Sequence, residues 1–340
     1  MGVQLADLFP GRPITFRLLS GRRIAIDAYN ALHQFLAIIR QPDGQPLRDS
    51  QGRVTSVYSG LFYRTSRMME AGIQPIYVFD GPPPKFKRRV IEQRIQVRTR
   101  AKRNWEEALR KGDIKEARKH AQSALRLTPE IVGNCRELLS RMGLPRVDSP
   151  TEGEAQGAVM ARKGEAWAAS SQDFDSLLFG SPRLVRNVTI TGRRKLPNKD
   201  VYIDIEPMLI EMEEILSELG IDEKRLIMLG LLVGTDYNQG GVPGIGPKRG
   251  LQMVREHDDI DELMDEVDWE FDVDYHELYD FFSNPRSTED YELCFETPDQ
   301  SAVKELLCEE FDFSPKRVER SLSRISSAPS GKQTDLLDWG

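Results

Sequence analysis

The sequence predicts an α/β fold, a mostly parallel central sheet flanked by helices, with one long basic helical segment set apart from it. Three observations carry this reading. Short β-branched runs alternate with stretches of helical periodicity, the order that parallel strands require because each needs a crossover connection. Those runs end on or just before acids, at the carboxyl edge where parallel sheets collect ligands. Finally, Lys85 to Arg126 holds fifteen Lys/Arg against five Asp/Glu and few large apolar residues, so it can bury little of itself.

Taken in order, Arg23-Ile24-Ala25-Ile26-Asp27 reads as a buried strand with an acid at its end. A helix is predicted over Ala31 to Ile39, stopped by the turn residues Gln41-Pro42-Asp43-Gly44. Ser56 to Ala71 has apolar residues at helical spacing, with Arg64 and Arg67 on one side, and Pro75 to Phe79 is a second strand, ending on Asp80. Gly81-Pro82-Pro83-Pro84 breaks the pattern before the basic segment. Within that segment Lys87 and Arg94 are seven apart, two helical turns, and are expected to share a face with Arg98. Thr128 to Met142 is the next helix. Ser149-Pro150-Thr151-Glu152 then has the form of a capping box with Pro at the first helical position, which gives Glu152 a capping role.

Ala166 to Ser171 reads as a third strand, with Asp173 and Asp175 in the turn after it. Leu184 to Ile190 and Val201 to Asp204 are expected to form a hairpin around a basic loop, Arg193-Arg194-Lys195. An apolar helix from Leu226 to Val233 runs into Gly234-Thr235-Asp236-Tyr237. The chain beyond Gly250 is acidic and expected to be mostly helical, ending in a flexible linker that begins at Ser326-Ser327-Ala328-Pro329.

Composition narrows the function. The three cysteines have no CxxC spacing, which argues against a disulfide framework or a zinc knuckle and for a reducing compartment. No apolar run approaches a membrane span and no signal peptide is recognisable, so a cytoplasmic protein with no membrane partner is expected. The net charge of −7 argues against nucleic acid only as an average. From Glu256 to Asp312 there are twenty-two acids and two bases, so the basic segment faces an acidic remainder and sets its own local field.

Asp27, Asp80, Glu152, Glu154, Asp173, Asp175 and Asp236 are seven carboxylates that one sheet edge could gather. The small residues around Glu152/Glu154 and Asp173/Asp175 would let a bulky ligand approach. Uncompensated, such a cluster repels itself, so it calls for cations, and oxygen ligands without His or Cys suit Mg2+ or Mn2+ rather than zinc. Two such ions suit phosphodiester hydrolysis. A second signal is Gly241 to Gly250, GVPGIGPKRG, which has the form of a helix-hairpin-helix turn. Its glycines permit a tight turn, its N–H groups can hold a DNA phosphate, and its carbonyls can hold a monovalent cation such as K+.

The chain resembles the flap endonucleases of the XPG-type 5′ nucleases, particularly the archaeal ones, over nearly all its length. Ile26-Asp27-Ala28, Val78-Phe79-Asp80-Gly81, Glu152-Gly153-Glu154-Ala155, Ser171-Gln172-Asp173-Phe174-Asp175 and Gly234-Thr235-Asp236-Tyr237 carry the resemblance. It implies a PIN-like 5′ nuclease fold with a helical arch and a structure-specific enzyme that cleaves 5′ flaps on branched DNA in Okazaki-fragment processing and base-excision repair, with 5′-3′ exonuclease activity. The seven acids would hold two Mg2+, Lys87 and Arg94 on the arch would contact the scissile phosphate, and the arch would thread the 5′ strand. DNA would meet Gly2, near the active site as the mature N-terminus, together with Arg64, Arg67, Glu152, Gly234, Asp236, Gly244, Gly246, Lys248 and Arg249. The resemblance divides the chain into one nuclease domain over 1–325, with an N-terminal region about 1–98, an arch about 81–128 and an internal region about 116–258, followed by a tail over 326–340.

That tail, Gln333 to Gly340, resembles the family's box for the sliding clamp, PCNA, with Gln333, Leu336 and Trp339 as anchors. The nuclease itself is expected to be a monomer. Two departures stand out: Gly340 replaces the second aromatic of the box, and His33 stands where the family carries a base-stacking Tyr. Three rivals fit less well. A PIN-type ribonuclease lacks the hairpin motif and basic arch, a catalytically dead DNA-end adaptor would have lost acids, and a haloacid-dehalogenase-like phosphatase needs its acid-x-acid on the first strand.

Overall fold

The computed structural model describes residues 5, 8–41, 45–112, 116, 126–190, 192–195 and 202–327, with the backbone alone at 88–91, 93, 94, 98, 102, 109, 193–195, 202 and 203. In chain order the elements begin with β1 (Arg12–Pro13), β2 (Arg23–Asp27), α1 (Ala28–Ile38), α2 (Ser56–Glu70), β3 (Gln74–Phe79), a 3-10 turn (Lys85–Lys87) and α3 (Arg88–Arg110). They continue with α4 (Pro129–Arg141), β4 (Arg146–Asp148), α5 (Gly153–Arg162), β5 (Ala168–Ser170), α6 (Asp175–Leu178), β6 (Arg183–Arg186), β7 (Gly192–Lys195), β8 (Tyr202–Ile205) and β9 (Met208–Glu211). The remainder is helical at α7 (Met212–Leu219), α8 (Glu223–Val233), α9 (Pro247–Glu256), α10 (Ile260–Met264), α11 (Tyr275–Ser283), α12 (Gln300–Lys304) and α13 (Pro315–Ser327).

The main sheet has seven strands in the order β1-β9-β6-β5-β2-β3-β4. Its central pairings, β6 with β5, β5 with β2, β2 with β3 and β3 with β4, are parallel, and the β6–β9 and β9–β1 pairings at one edge are antiparallel, so β9 alone is reversed. The mostly parallel α/β sheet is therefore as the sequence predicts. The direction of strand addition reverses at β2, whose neighbours are β3 on one side and β5 on the other, and such switch points open a crevice at the strands' carboxyl ends.

Alternation along β2 builds the two faces. Ile24 and Ile26 enter one core with Phe35, Leu61, Phe62 and Leu138 of α1, α2 and α4, and the amphipathic α13 closes it with Val318 and Leu322. Ala25 faces the other way, towards Ile76, Val78, Val147 and Met160. Helix α5 lies very close on that face, because a Cβ on Gly157 would sit only 3.6 Å from Ala25 Cβ and 3.9 Å from Ala169 Cβ. A separate core joins α5, α6, α8, α9 and α11.

Several expectations are corrected. Ser149 to Glu152 is not a capping box: α5 starts at Gly153, Glu152 is its N-cap without a side-chain cap bond, and Ser149 Oγ accepts from Thr151 N at 3.2 Å. Ser149 N is already spent on Phe79 O, extending the β3–β4 pairing, so it cannot receive a Glu152 carboxylate. Lys87 lies in the 3-10 turn before α3, so the two-turn spacing to Arg94 does not describe one helix face. The basic loop Arg193-Arg194-Lys195 is itself strand, pairing as β7 with β8 in a separate two-stranded ribbon, whereas β6 pairs with β9. Residues 284–299 form no helix. Tyr291, Leu293 and Phe295 alternate there, and this spacing packs an extended strap against the core beneath β2 and β3. Ser326 and Ser327 belong to α13, which runs through Ser327, and their hydroxyls bond back to Leu322 O and Ser323 O.

No helix among the described residues is long and apolar enough to cross a membrane.

Candidate active site

The carboxyl edge around the switch point gathers the acids. Asp27 ends β2 and caps α1, its Oδ1 accepting from Asn30 N at 2.9 Å. Asp80 follows β3 and its Oδ1 accepts from Gly153 N at 2.7 Å. This contact explains Gly153, since a Cβ there would sit 2.9 Å from Asp80 Oδ1 and 3.0 Å from Val78 O. The small residues beside Glu152 and Glu154 thus bring helix and sheet together, a different purpose from admitting a bulky ligand. Glu152 occupies the N-cap position of α5, Glu154 lies in its first turn, Asp175 opens α6, and Asp236 lies in the loop after α8.

Electrostatics join all seven. Burial pushes the Asp27 carboxyl well up, helped by Asp80, Asp173 and Glu152. Asp80 is raised to about 6 by burial and then by Glu152. Glu154 is raised well above the usual carboxylate range by burial, then Asp175, Asp27 and Asp173, and Asp173 is raised by burial and by Asp236. Every one of the seven therefore feels another. Among the described residues no three acids, His or Cys already converge closely enough to ligate one ion, so the cluster is a set of repelling neighbours. Glu154 Oε1 is buried and has no hydrogen-bond partner among the described residues. An all-oxygen, electron-rich, partly unsatisfied cluster of this kind fits a hard dication.

Lys87 reaches into this edge. Its Nζ lies 2.5 Å from Glu152 Oε2, both side chains being nearly covered at 13% and 11% exposure. Burial pulls its ammonium down, but Glu152, with Asp80 and Asp236, outweighs that and leaves it raised. Its ammonium also stands 5.5 Å from the ring centroid of Tyr237, within range of a cation–π attraction. Arg94 lies on α3, but its side chain falls outside the described residues, as do Gly2 and the tail residues Gln333, Leu336 and Trp339.

Other predicted positions fall into two separate groups. Arg64 and Arg67, on α2, lie at the foot of the β7–β8 ribbon: a Cβ on Gly192 would be 3.2 Å from Arg67 Nη1 and 3.9 Å from Arg64 Nη1. The hairpin between α8 and α9 turns through Gly234 (φ 105°), Gly241 (φ 65°) and Gly244 (φ 77°). Asn238 pins it from inside, its Nδ2 donating to Leu231 O at 2.6 Å and its Oδ1 accepting from Thr235 N at 2.9 Å. Gly244, Gly246, Lys248 and Arg249 are exposed together at the tip, where α9 begins with Gly246 as N-cap. Gly250 serves packing instead, since a Cβ there would meet Leu229 Cδ1 at 2.9 Å. His33 is half-buried on α1.

Sequence reasoning overlooked three residues that shape this edge. Asn30 Nδ2 donates to Asp173 Oδ2 at 3.1 Å while its backbone holds Asp27, tying the two sides of the switch point together. Asp27-x-x-Asn30 at a helix start was a visible signal. Tyr237 underlies Lys87, and Arg186, with its guanidinium 4.4 Å from the Phe174 centroid, offsets part of the rise at Asp173. Nothing local marked Arg186.

Comparison with known proteins agrees with this geometry. A family model for the XPG N-terminal domain matches residues 3–101, and one for the XPG I-region matches 143–236. Flap endonuclease 1 of Thermococcus onnurineus is 51% identical over 340 residues, covering 100% of this chain and 99% of that protein. Flap endonuclease 1 of Hyperthermus butylicus is 54% identical over 347 residues, with 100% and 99% covered. Among solved structures, flap endonuclease-1 from Methanococcus jannaschii superposes with a TM-score of 0.76 at 41% identity, covering 96% of this chain and 98% of that one. The catalytic core of Rad2 in complex with DNA substrate shares the fold, with a TM-score of 0.69 at 23% identity over 96% of this chain and 100% of that one.

Proposed function

The chain belongs to the flap endonucleases of the XPG-type 5′ nucleases, and from that premise we propose that it cleaves 5′ flaps on branched DNA by Mg2+-dependent phosphodiester hydrolysis, with 5′-3′ exonuclease action at the same site. The observation that carries the proposal is the gathering of seven mutually repelling carboxylates at one sheet edge with Lys87 lowered onto them. Asp27, Asp80, Glu152, Glu154, Asp173, Asp175 and Asp236 would hold two Mg2+, for which Mn2+ can substitute. When bound, the ions would supply Lewis-acid activation of water and neutralise charge on the phosphoryl group.

The chain's own residues do the rest. Lys87 offers its ammonium to a phosphate oxygen, where it stabilises developing charge, and Arg94 supplies a second positive group. Asn30 holds Asp173 beside Asp27. The backbone N–H groups of Gly246, Lys248 and Arg249 grip the duplex backbone, with K+ held by carbonyls of the same hairpin, and Gly234 and Asp236 link that grip to the site. Arg64 and Arg67, at the ribbon, meet a second stretch of phosphate, and Gly2 would add a further DNA contact. Backbone contacts and geometry, with no base readout, then select a flap. The basic arch, about 81–128, threads the 5′ strand, and Gln333, Leu336 and Trp339 recruit PCNA to a monomeric nuclease acting at the nucleoid.

Asp173→Ala tests the core of the reading. With a 5′-flap duplex and Mg2+, cleavage should disappear while duplex binding stays within about threefold, because the hairpin and ribbon are untouched. An equal loss of binding, or residual cleavage near that of the wild type, refutes the assignment.

A further inference from the structure

We propose that Phe281, on α11, is a positioning residue for Lys87, a role that rests on the catalytic assignment of Lys87 above. Along helix α3 the apolar Ile95 and Val97 are 46% and 63% exposed, while Ala101 and Ala108 are buried. Lys87 stands at the foot of that helix, in the 3-10 turn Lys85–Lys87. Phe86 is the large apolar residue of that turn, and it enters a closed triangle of rings. Its centroid lies 5.2 Å from Tyr237 and 5.1 Å from Phe281, and Tyr237 lies 5.2 Å from Phe281. All three pairs meet edge to face, at 83°, 85° and 76°, the favourable geometry for aromatic quadrupoles.

The triangle has a fixed side and an open side. Phe281 is braced at 5.3 Å by Phe179, a core residue that follows the helix opened by Asp175. On the other side the three rings line a cleft of about 1000 Å³, shared with Pro82, Pro83 and Phe271. Phe86 and Phe281 are both half-buried at the rim of the same core, so Phe281 supplies one of the two rings against which Phe86 rests. Phe86 and Lys87 are consecutive and touch the same tyrosine, Phe86 by its ring edge and Lys87 by its ammonium at 5.5 Å. Fixing Phe86 thus fixes the stem from which Lys87 extends 2.5 Å from Glu152. Without the Phe281 ring the turn is free to relax into the cleft, withdrawing Lys87 from the carboxylates. A displacement of about 1 Å at a reacting group can cost roughly 100-fold in rate.

The experiment compares full-length Phe281→Ala, Phe281→Leu and, as a control on the same helix, Tyr279→Phe. Single-turnover cleavage of a 5′-flap duplex with saturating Mg2+ should slow by about 10- to 100-fold in Phe281→Ala, with flap affinity within about threefold of wild type. In metal-free protein, reductive methylation of Lys87, read by mass spectrometry against the other lysines, should quicken severalfold. Phe281→Leu should recover part of both, and Tyr279→Phe should match wild type. Unchanged Lys87 labelling in a folded Phe281→Ala protein overturns the inference, and so does a rate loss that vanishes once temperature is lowered in step with Tm. If wild type itself fails to cleave the flap, the functional reading fails, while the labelling result still decides whether Phe281 positions Lys87.

Discussion

Asp80→Asn in the metal-free protein isolates what the carboxylate cluster costs. The substitution keeps the bond from Gly153 N to Oδ1, 2.7 Å in the wild type, and removes only the charge. Burial, then Glu152, raises the Asp80 carboxyl from its ordinary 3.8 to about 6. The folded protein thus holds a proton there that the unfolded chain has already released, and linkage fixes the sign. Below pH 4 the group is neutral in both states and costs nothing. As pH rises through 4 to 6 stability falls, and above that the full penalty of about 3 kcal/mol applies, from 1.36 kcal/mol per unit of pKa. For a chain of this length that is about 4 °C in Tm. With EDTA present, calorimetry should therefore find Asp80→Asn more stable than wild type by that margin at pH 8 and equal to it near pH 4. Millimolar Mg2+ should reverse the order at pH 8, because only the wild type keeps the full set of acids for the ion. An equal gain at both pH values, or none at pH 8, refutes the reading of Asp80 as a charge strained by its neighbours.

Four further substitutions test the site, the hairpin and the tail. Lys87→Met should lower single-turnover flap cleavage by roughly 100- to 1000-fold, as loss of a charge-stabilising donor does, with gel-shift affinity for the flap little changed. Gly241→Ala should destabilise by about 2 kcal/mol or more in urea unfolding and weaken duplex binding, since the residue has φ 65° and its Cβ would lie 2.3 Å from the Val233 carbonyl. Gly244→Ala, at φ 77° with open space around it, should cost only about 1 kcal/mol. In a pull-down, Trp339→Ala should abolish association with the sliding clamp, and undiminished capture would remove the tail assignment.

Much of this molecule was legible in one dimension. β2, β3 and β5 are found where β-branched and small-residue runs end near acids, and α2, α4 and α8 lie within a residue or a few of their predicted bounds. Such features depend on periodicity and turn chemistry within a few residues of chain, which the sequence states directly. The seven acids, the basic segment and the glycine hairpin were likewise visible as residue types in order. Reading further misled where a local pattern had a nonlocal competitor. The capping box at Ser149 failed because Ser149 N pairs with Phe79 O, and within the mostly helical acidic stretch residues 284–299 form an extended strap whose apolar residues reach the core by alternating.

The sequence by itself therefore determined which chemistry is available, oxygen ligands, bases and a phosphate-binding turn, because those are properties of side chains and of backbone freedom. The tertiary structure alone decided how that chemistry is aimed. It pairs Asn30 with Asp173, sets Phe86 against Phe281, and uses Gly153 and Gly157 to bring α5 down on the sheet so that Glu152 and Glu154 meet Asp80 and Asp27. These contacts join residues far apart in the chain, and each wins only after the entropy of closing a long loop has been offset by the whole packed sheet. No window of sequence contains that balance.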